Sequence, residues 1–234
     1  MNGDADVAAA AAMIGEPARA ALLLALMEQD ALSGRELAAR AGIAPSTVSG
    51  HLARLVDGGL VAGERQGRHR YFRLADPAVA VAVEALSTIA PARPVRSLRD
   101  AAVSEAIRHA RTCYDHLAGR LGVELAAALE RDGVLVHDGQ TYTLGPSATR
   151  RLGALGIDVE VLSRERRPLV RACLDWSERR PHVAGAHGAA LAERLFELGW
   201  LKRRLTNRSV DITPLGRKRL HAELGLDLRS GWTY

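Results

Sequence analysis

Two cysteines in 234 residues are too few for a disulfide framework. Aromatic residues are scarce, at 4% against 47% hydrophobic residues, so any core has to be built mostly from Ala, Leu and Val. Lysine is almost missing: Lys202 and Lys218 are the only two, and arginine supplies the remaining positive charge. No long apolar run occurs. The Ala-rich stretch from Val7 to Ile14 is too short to span a bilayer. The acidic start, Met-Asn-Gly-Asp-Ala-Asp, lacks the basic opening of a secretory signal. Together these absences predict a soluble, cytoplasmic protein with no membrane partner. A Gly-rich phosphate loop, G-x-S-x-G and H-E-x-x-H are all missing, which argues against an enzyme.

The formal net charge is +5 and the sequence pI is near 9.7, which permits an anionic partner. Arginine suits bidentate contacts to guanine or phosphate. An Ala/Arg/Gly-rich chain is also what a GC-rich genome encodes, so the arginine bias does not identify the partner. Residues 33–74 do more. Ser33 and Glu36 form an S-x-x-E capping box that starts a helix, with Leu37 and Ala38 facing inward. Gly42 stands where a positive φ closes that helix. Ile43 plugs the turn, and Pro45 occupies the first position of a second helix. Val48, Leu52 and Leu55, spaced four and three apart, form one buried stripe. That leaves Ser46, Thr47, Ser49, His51 and Arg54 facing elsewhere. Small polar groups at a helix N-terminus can approach phosphates and base edges closely.

Leu60–Glu64 and His69–Leu74 read as strands, joined by a turn at Gln66-Gly67-Arg68. Arg65, Arg68, Arg70 and Arg73 crowd this hairpin, with Glu64 its only acid. A basic hairpin beside a recognition-type helix is a wing, able to lie along the DNA backbone or minor groove.

The segments Arg-Glu-Leu-Ala-Ala-Arg-Ala-Gly (35–42), Ser-Thr-Val-Ser-Gly-His-Leu (46–52), Leu-Val-Asp-Gly-Gly-Leu-Val (55–61) and Gly67–Leu74 carry a resemblance. Residues of about 10–90 resemble the ArsR-type winged helix-turn-helix regulators. The resemblance implies a homodimer that occupies a palindromic operator as a repressor, with the first and last helices of the head forming the dimer interface. Here those helices would be about Ala8–Glu28 and Pro77–Ile89, both rich in apolar residues. A two-fold dimer presents its recognition helices about 34 Å apart. Relatives that bind metal do so through cysteines on the first helix of the motif, or through Asp and His on the last dimer helix. Ser33–Ala41 has no cysteine and Pro77–Ile89 no histidine, so neither site carries over.

The pattern predicts three regions: a DNA-binding and dimerisation head over 1–90, a linker over 91–97 opened by Pro91-Ala-Arg-Pro94, and a C-terminal domain over 98–234. The expected fold class is mainly α with small β-hairpins, α+β, the C-terminal domain being built of degenerate winged-helix units. The basis is a recurring pattern. Leu125-Ala-Ala-Ala-Leu129 with Gly133 and Leu135, and Leu191-Ala-Glu-Arg-Leu195 with Gly199 and Leu201, repeat the spacing of Leu52, Leu55, Gly59 and Val61. Hairpins are expected at Asp138–Gln140 and Thr206–Ser209.

Cys113, Asp115 and His116 are expected in a helix over Ala101–Gly119, with Cys113 and His116 on one face. Cys173 and Asp175 are expected in a second helix ending near Pro181, followed by His182 and His187. These residues could form a thiolate–imidazole site for a transition-metal ion, a redox-sensing thiol pair or an organic-ligand site. The plain alternative is two buried hydrophobic cysteines beside a helix-face histidine, with no cofactor. The functional expectation is a sequence-specific DNA-binding regulator, a repressor released by a metal, redox or small-molecule signal. The alternative is a tandem winged-helix scaffold for protein contacts, without regulated DNA binding.

Overall fold

The apolar N-terminal run forms two helices rather than the single one expected over Ala8–Glu28. In the computed structural model, which describes residues 4–29, 31–91, 94–95, 97–204 and 206–228, α1 (Val7–Ile14) and α2 (Pro17–Leu26) meet at 84°. Pro17 cannot continue α1 but suits the start of α2, where the Glu16 carboxylate accepts the Arg19 N–H. The chain divides into two units, Met1–Ser87 and Thr88–Tyr234.

In the first unit β1 (Leu32–Ser33) leads into α3 (Gly34–Ala41), α4 (Pro45–Asp57), the hairpin β2 (Val61–Gln66) and β3 (His69–Leu74), and α5 (Pro77–Ile89). The capping box is complete: Ser33 Oγ accepts the Glu36 N–H and the Glu36 carboxylate accepts the Ser33 N–H. Gly42 ends α3 with φ +66°, a conformation that is nearly free for glycine and costly for a residue with a Cβ. Val48, Leu52 and Leu55 are buried, as are Leu22 and Leu26 of α2 and Leu37 of α3, the two helices that pack on α4. The three strands are antiparallel in the order β1-β3-β2, with Leu32 opposite Phe72. This is a winged helix-turn-helix.

The second unit runs α6 (Leu98–His109), β4 (Arg111–Cys113), β5 (His116–Ala118), α7 (Gly119–Arg131), β6 (Leu135–His137), β7 (Tyr142–Leu144), α8 (Ala148–Ala154), α9 (Val159–Ser163), β8 (Arg171–Leu174), β9 (Pro181–Ala184), α10 (Gly185–Glu197), β10 (Leu201–Arg203), β11 (Val210–Ile212) and α11 (Pro214–Leu224). Its core gathers Leu121, Leu125, Leu129, Tyr142, Leu152, Leu191, Leu195, Trp200 and Leu220. Both α7 and α10 run into hairpins at the positions the Leu/Gly pattern marks. Ala92, Arg93 and Arg96 of the expected linker lie outside the described residues, and Ser97 caps α6.

Two expected helices are corrected here. The helix over Ala101–Gly119 stops at His109, and Cys113 and His116 stand on the hairpin β4–β5 instead. The cause is long-range pairing. Thr112 N–H donates to the Arg208 carbonyl, Val210 N–H donates to the Ala110 carbonyl, and Arg111 bridges Ser209. Likewise Cys173 lies on strand β8 and His182 on β9, not in a helix ending at Pro181. Neither pairing has a local sequence signal. Among the described residues no single helix is long and apolar enough to cross a membrane.

Candidate nucleic-acid interface and candidate metal centre

Helix α4 buries one stripe and presents the other. Ser46, Thr47, Ser49, Ala53 and Arg54 are exposed, and the N-cap residue, Ala44, makes no side-chain cap. His51 is placed differently from its neighbours. It is half-buried, with Nδ1 3.2 Å from Glu16 Oε2, so it faces the scaffold as much as the open surface. The amide of Arg19 holds the Glu16 carboxyl below its usual pKa, which keeps that carboxylate charged beside His51.

The wing turn is tighter than expected. Gln66 pairs directly with His69, so only Gly67 and Arg68 form the turn, and Gly67 takes φ +59°. Arg65 stands opposite Arg70 across the ladder. Like charges in directly opposed positions are unfavourable in the free protein. Arg70 also packs over Phe72, 5.1 Å from the ring centroid, and fills the space above Gly63. Between α4 and the wing runs a cleft of about 370 Å³ whose lining includes Arg35, Ser49, Arg68 and Arg70.

In the second unit, four of the six proposed metal or effector residues converge. Cys113 is paired with His116 across β4–β5, and Cys173 with His182 across β8–β9. The sulfur and ring-nitrogen atoms of these four all lie within 4.8 Å of one another. Cys113, His116 and His182 are buried, Cys173 is half-buried, and neither cysteine is in a disulfide. The two imidazoles stack with centroids 5.1 Å apart. Among the described residues, His116 Nε2 and both ring nitrogens of His182 are buried without a hydrogen-bond partner. Such atoms normally find one, so their orphaning points to a missing bond.

The two aspartates stand behind the cluster rather than in it. Asp115 Oδ1 is 3.0 Å from His116 Nδ1, and its Oδ2 accepts from Arg167 at 2.7 Å. Asp175 is fully buried. It accepts from Arg111 at 2.9 Å, from the Gly119 amide at 2.6 Å and from Ser177, and it lies 3.5 Å from His182 Nδ1. Burial opposes its charge, but Arg111 and Ser177 outweigh that and bring its pKa down to about 2. The close approach of Cys113, His116 and His182 likewise draws the Cys173 thiol far below the ordinary thiol range, against the effect of its burial. His187 does not join the cluster. Burial alone pushes its pKa down to about 4.

Sequence reasoning missed one signal that was present. Arg111-x-Cys113-x-Asp115 and Arg171-x-Cys173-x-Asp175 match, as do His116-Leu-Ala-Gly119-x-x-Gly122 and His182-Val-Ala-Gly185-x-x-Gly188. Six residues, 176–181, separate the two halves of the second copy and none separates those of the first, which hides the likeness.

This architecture defines a winged-helix DNA-binding regulator. Residues 16–70 match the family model described as MarR family. Over 212 residues the chain is 39% identical to YdfF, an uncharacterized HTH-type transcriptional regulator of Bacillus subtilis, covering 91% of this chain and 94% of that protein. The chain therefore belongs to the helix-turn-helix transcriptional regulators, a family of DNA-binding proteins and not of enzymes. Among solved structures it is similar to the transcriptional repressor BigR of Xylella fastidiosa, at 32% identity, 38% of this chain, 89% of that one and TM-score 0.35. It is also similar to the cadmium sensor CmtR of Mycobacterium tuberculosis, at 30% identity, 40% of this chain, all of that one and TM-score 0.32.

Proposed function

We propose that the protein is an ArsR-type repressor that occupies a palindromic operator as a homodimer in the cytoplasm, and that a signal received in the second unit releases it. The observation that carries this reading is the facing pair Arg65 and Arg70 beside the exposed polar face of α4. A phosphate backbone would turn that repulsive pair into two favourable contacts. In this reading Ser46, Thr47, Ser49 and Arg54 approach bases and phosphates in the major groove. Arg68 and Arg70 grip the backbone through the wing. His51, held at Glu16, orients α4 more than it touches DNA.

A second copy is the occupant we assign to the apolar surface of α1 and α5. Among the described residues α1 buries none of its own, and Val7, Val81, Leu86 and Ile89 are exposed. Exposed apolar side chains on the two terminal helices of the head support a paired state. The test selects an operator from a random duplex pool and measures mobility shifts. Arg54→Ala and Arg68→Ala are expected to weaken binding while leaving the fold, by circular dichroism, unchanged. Unchanged binding overturns the groove assignment, and the lack of any sequence-selective footprint favours the protein-contact scaffold instead.

A further inference from the structure

The two sequence copies in the second unit fold alike and interlock. Each begins with a Cys/His hairpin, enters a helix through a glycine at positive φ, Gly119 or Gly185, and continues into a second hairpin. Strand β5 of the first copy packs on α10 of the second, β9 of the second packs on α7 of the first, and β5 and β9 also meet. The close approach is reciprocal. A Cβ on Gly122 would stand 3.5 Å from His182 Cβ, and one on Gly188 3.3 Å from His116 Cβ. The four Cys and His side chains therefore sit where the two copies cross.

We propose that Cys113, His116, Cys173 and His182 form a single tetrahedral site for a borderline-to-soft divalent cation of the zinc class, each copy of the repeat giving one sulfur and one imidazole, so that the ion fastens the two copies together. Two sulfurs and two imidazoles are a donor set that such cations favour over magnesium or calcium. Two thiolates balance a divalent charge, so the loaded site is neutral and can stay buried. His116 Nε2 and one ring nitrogen of His182 gain the bond they lack. Asp115 behind His116 supplies the outer carboxylate that fixes a ligating imidazole, with Asp175 near His182 in the matching position. Ordinary bond lengths put tetrahedral ligand atoms about 3.3–3.8 Å apart, so the 4.8 Å cluster closes by about 1 Å on loading. With four protein ligands the site has no open position, which suits a structural or sensing ion rather than a catalytic one. A thiol pair alone would explain neither the converging imidazoles nor the carboxylates behind them.

The site lies wholly in the second unit, so its test is independent of DNA binding. The full-length, untagged protein is stripped of metal under reducing conditions and titrated with cobalt(II), then zinc(II). The expected result is one equivalent per chain, with intense thiolate-to-cobalt charge-transfer absorption, tetrahedral d–d bands and displacement by zinc. Loss of thiol protons on loading releases acid, and a mercurial that blocks both thiols expels the ion. Cys173→Ser and His182→Gln should weaken binding by more than the 10–100-fold, roughly, that losing an outer carboxylate costs, whereas Asp115→Asn should fall within that range. His187→Gln should bind as the parent does. The wild-type titration needs no variant to fold. Absence of binding to the folded reduced chain, a pale octahedral cobalt spectrum, or retention of the ion after both cysteines are replaced would overturn the proposal.

Discussion

Gly188 lies against His116: a Cβ on this glycine would stand 3.3 Å from the histidine Cβ and 2.5 Å from the Val183 carbonyl oxygen. Gly122 stands in the matching relation to His182 and the Leu117 carbonyl oxygen, with 2.5 Å to that oxygen. Backbone oxygens cannot swing aside as a side-chain tip can. Gly122→Ala and Gly188→Ala should therefore each destabilise the second unit by about 1–3 kcal/mol, read from urea unfolding. Gly153→Ala is the control. It is helical and open, with nothing near the added methyl, and should be neutral or stabilising by about 1 kcal/mol or less. Equal effects at all three sites would refute the close packing of the two copies.

The wing makes a quantitative prediction for salt. If Arg68 neutralises one phosphate, Arg68→Ala should reduce the slope of log K against log salt by about 0.9 per protomer. Arg70→Ala should do the same, and should also relieve its conflict with Arg65 in the free protein. Because His51 is half-buried with Nδ1 3.2 Å from Glu16, His51→Ala should weaken operator binding less than Arg54→Ala. Fluorescence anisotropy across a salt series measures all four. A slope that ignores both wing arginines removes the wing from the interface.

His187 predicts an acid-side instability. Its ring is buried, both nitrogens lack a hydrogen-bond partner among the described residues, and burial lowers its pKa to about 4 from an ordinary 6.5. A folded pKa below the unfolded one means that the unfolded chain binds more protons between those values. Stability from this residue is thus intact above pH 6.5 and falls as pH drops toward 4, by about 3 kcal/mol in all. His187→Gln should flatten that part of the stability–pH curve. An unchanged slope between pH 6.5 and 4 would assign the acid sensitivity to other groups.

The head should lose stability at its local signals by the ordinary amounts. Ser33→Ala removes the cap of α3 and should cost about 0.5–2 kcal/mol. Leu55→Ala empties a fully buried position under α4 and should cost about 2–5 kcal/mol, with operator binding lost in proportion to unfolding. Thermal unfolding in the presence and absence of operator separates these from contact variants, which leave the melting of the free protein unchanged.

The helix-turn-helix was legible because its determinants are local. The Ser33–Glu36 box, the left-handed Gly42, Pro45 at a helix start and the 4–3 spacing of Val48, Leu52 and Leu55 each act within a few residues. The candidate metal centre was half legible. Residue types gave the correct cysteines and histidines, but helical spacing assigned Cys113 and His116 to one helix face. The strands at these positions are held by partners about a hundred residues away, Arg208 and Val210. No window along the chain contains that pairing.

The sequence alone decided that a basic wing follows a recognition helix, since turn chemistry and hydrophobic period are properties of neighbouring residues. Only the tertiary structure decided that Cys113, His116, Cys173 and His182 share one point. Two chain segments some sixty residues apart must first fold into matching hairpins and cross, on a buried core to which α7 and α10 both contribute.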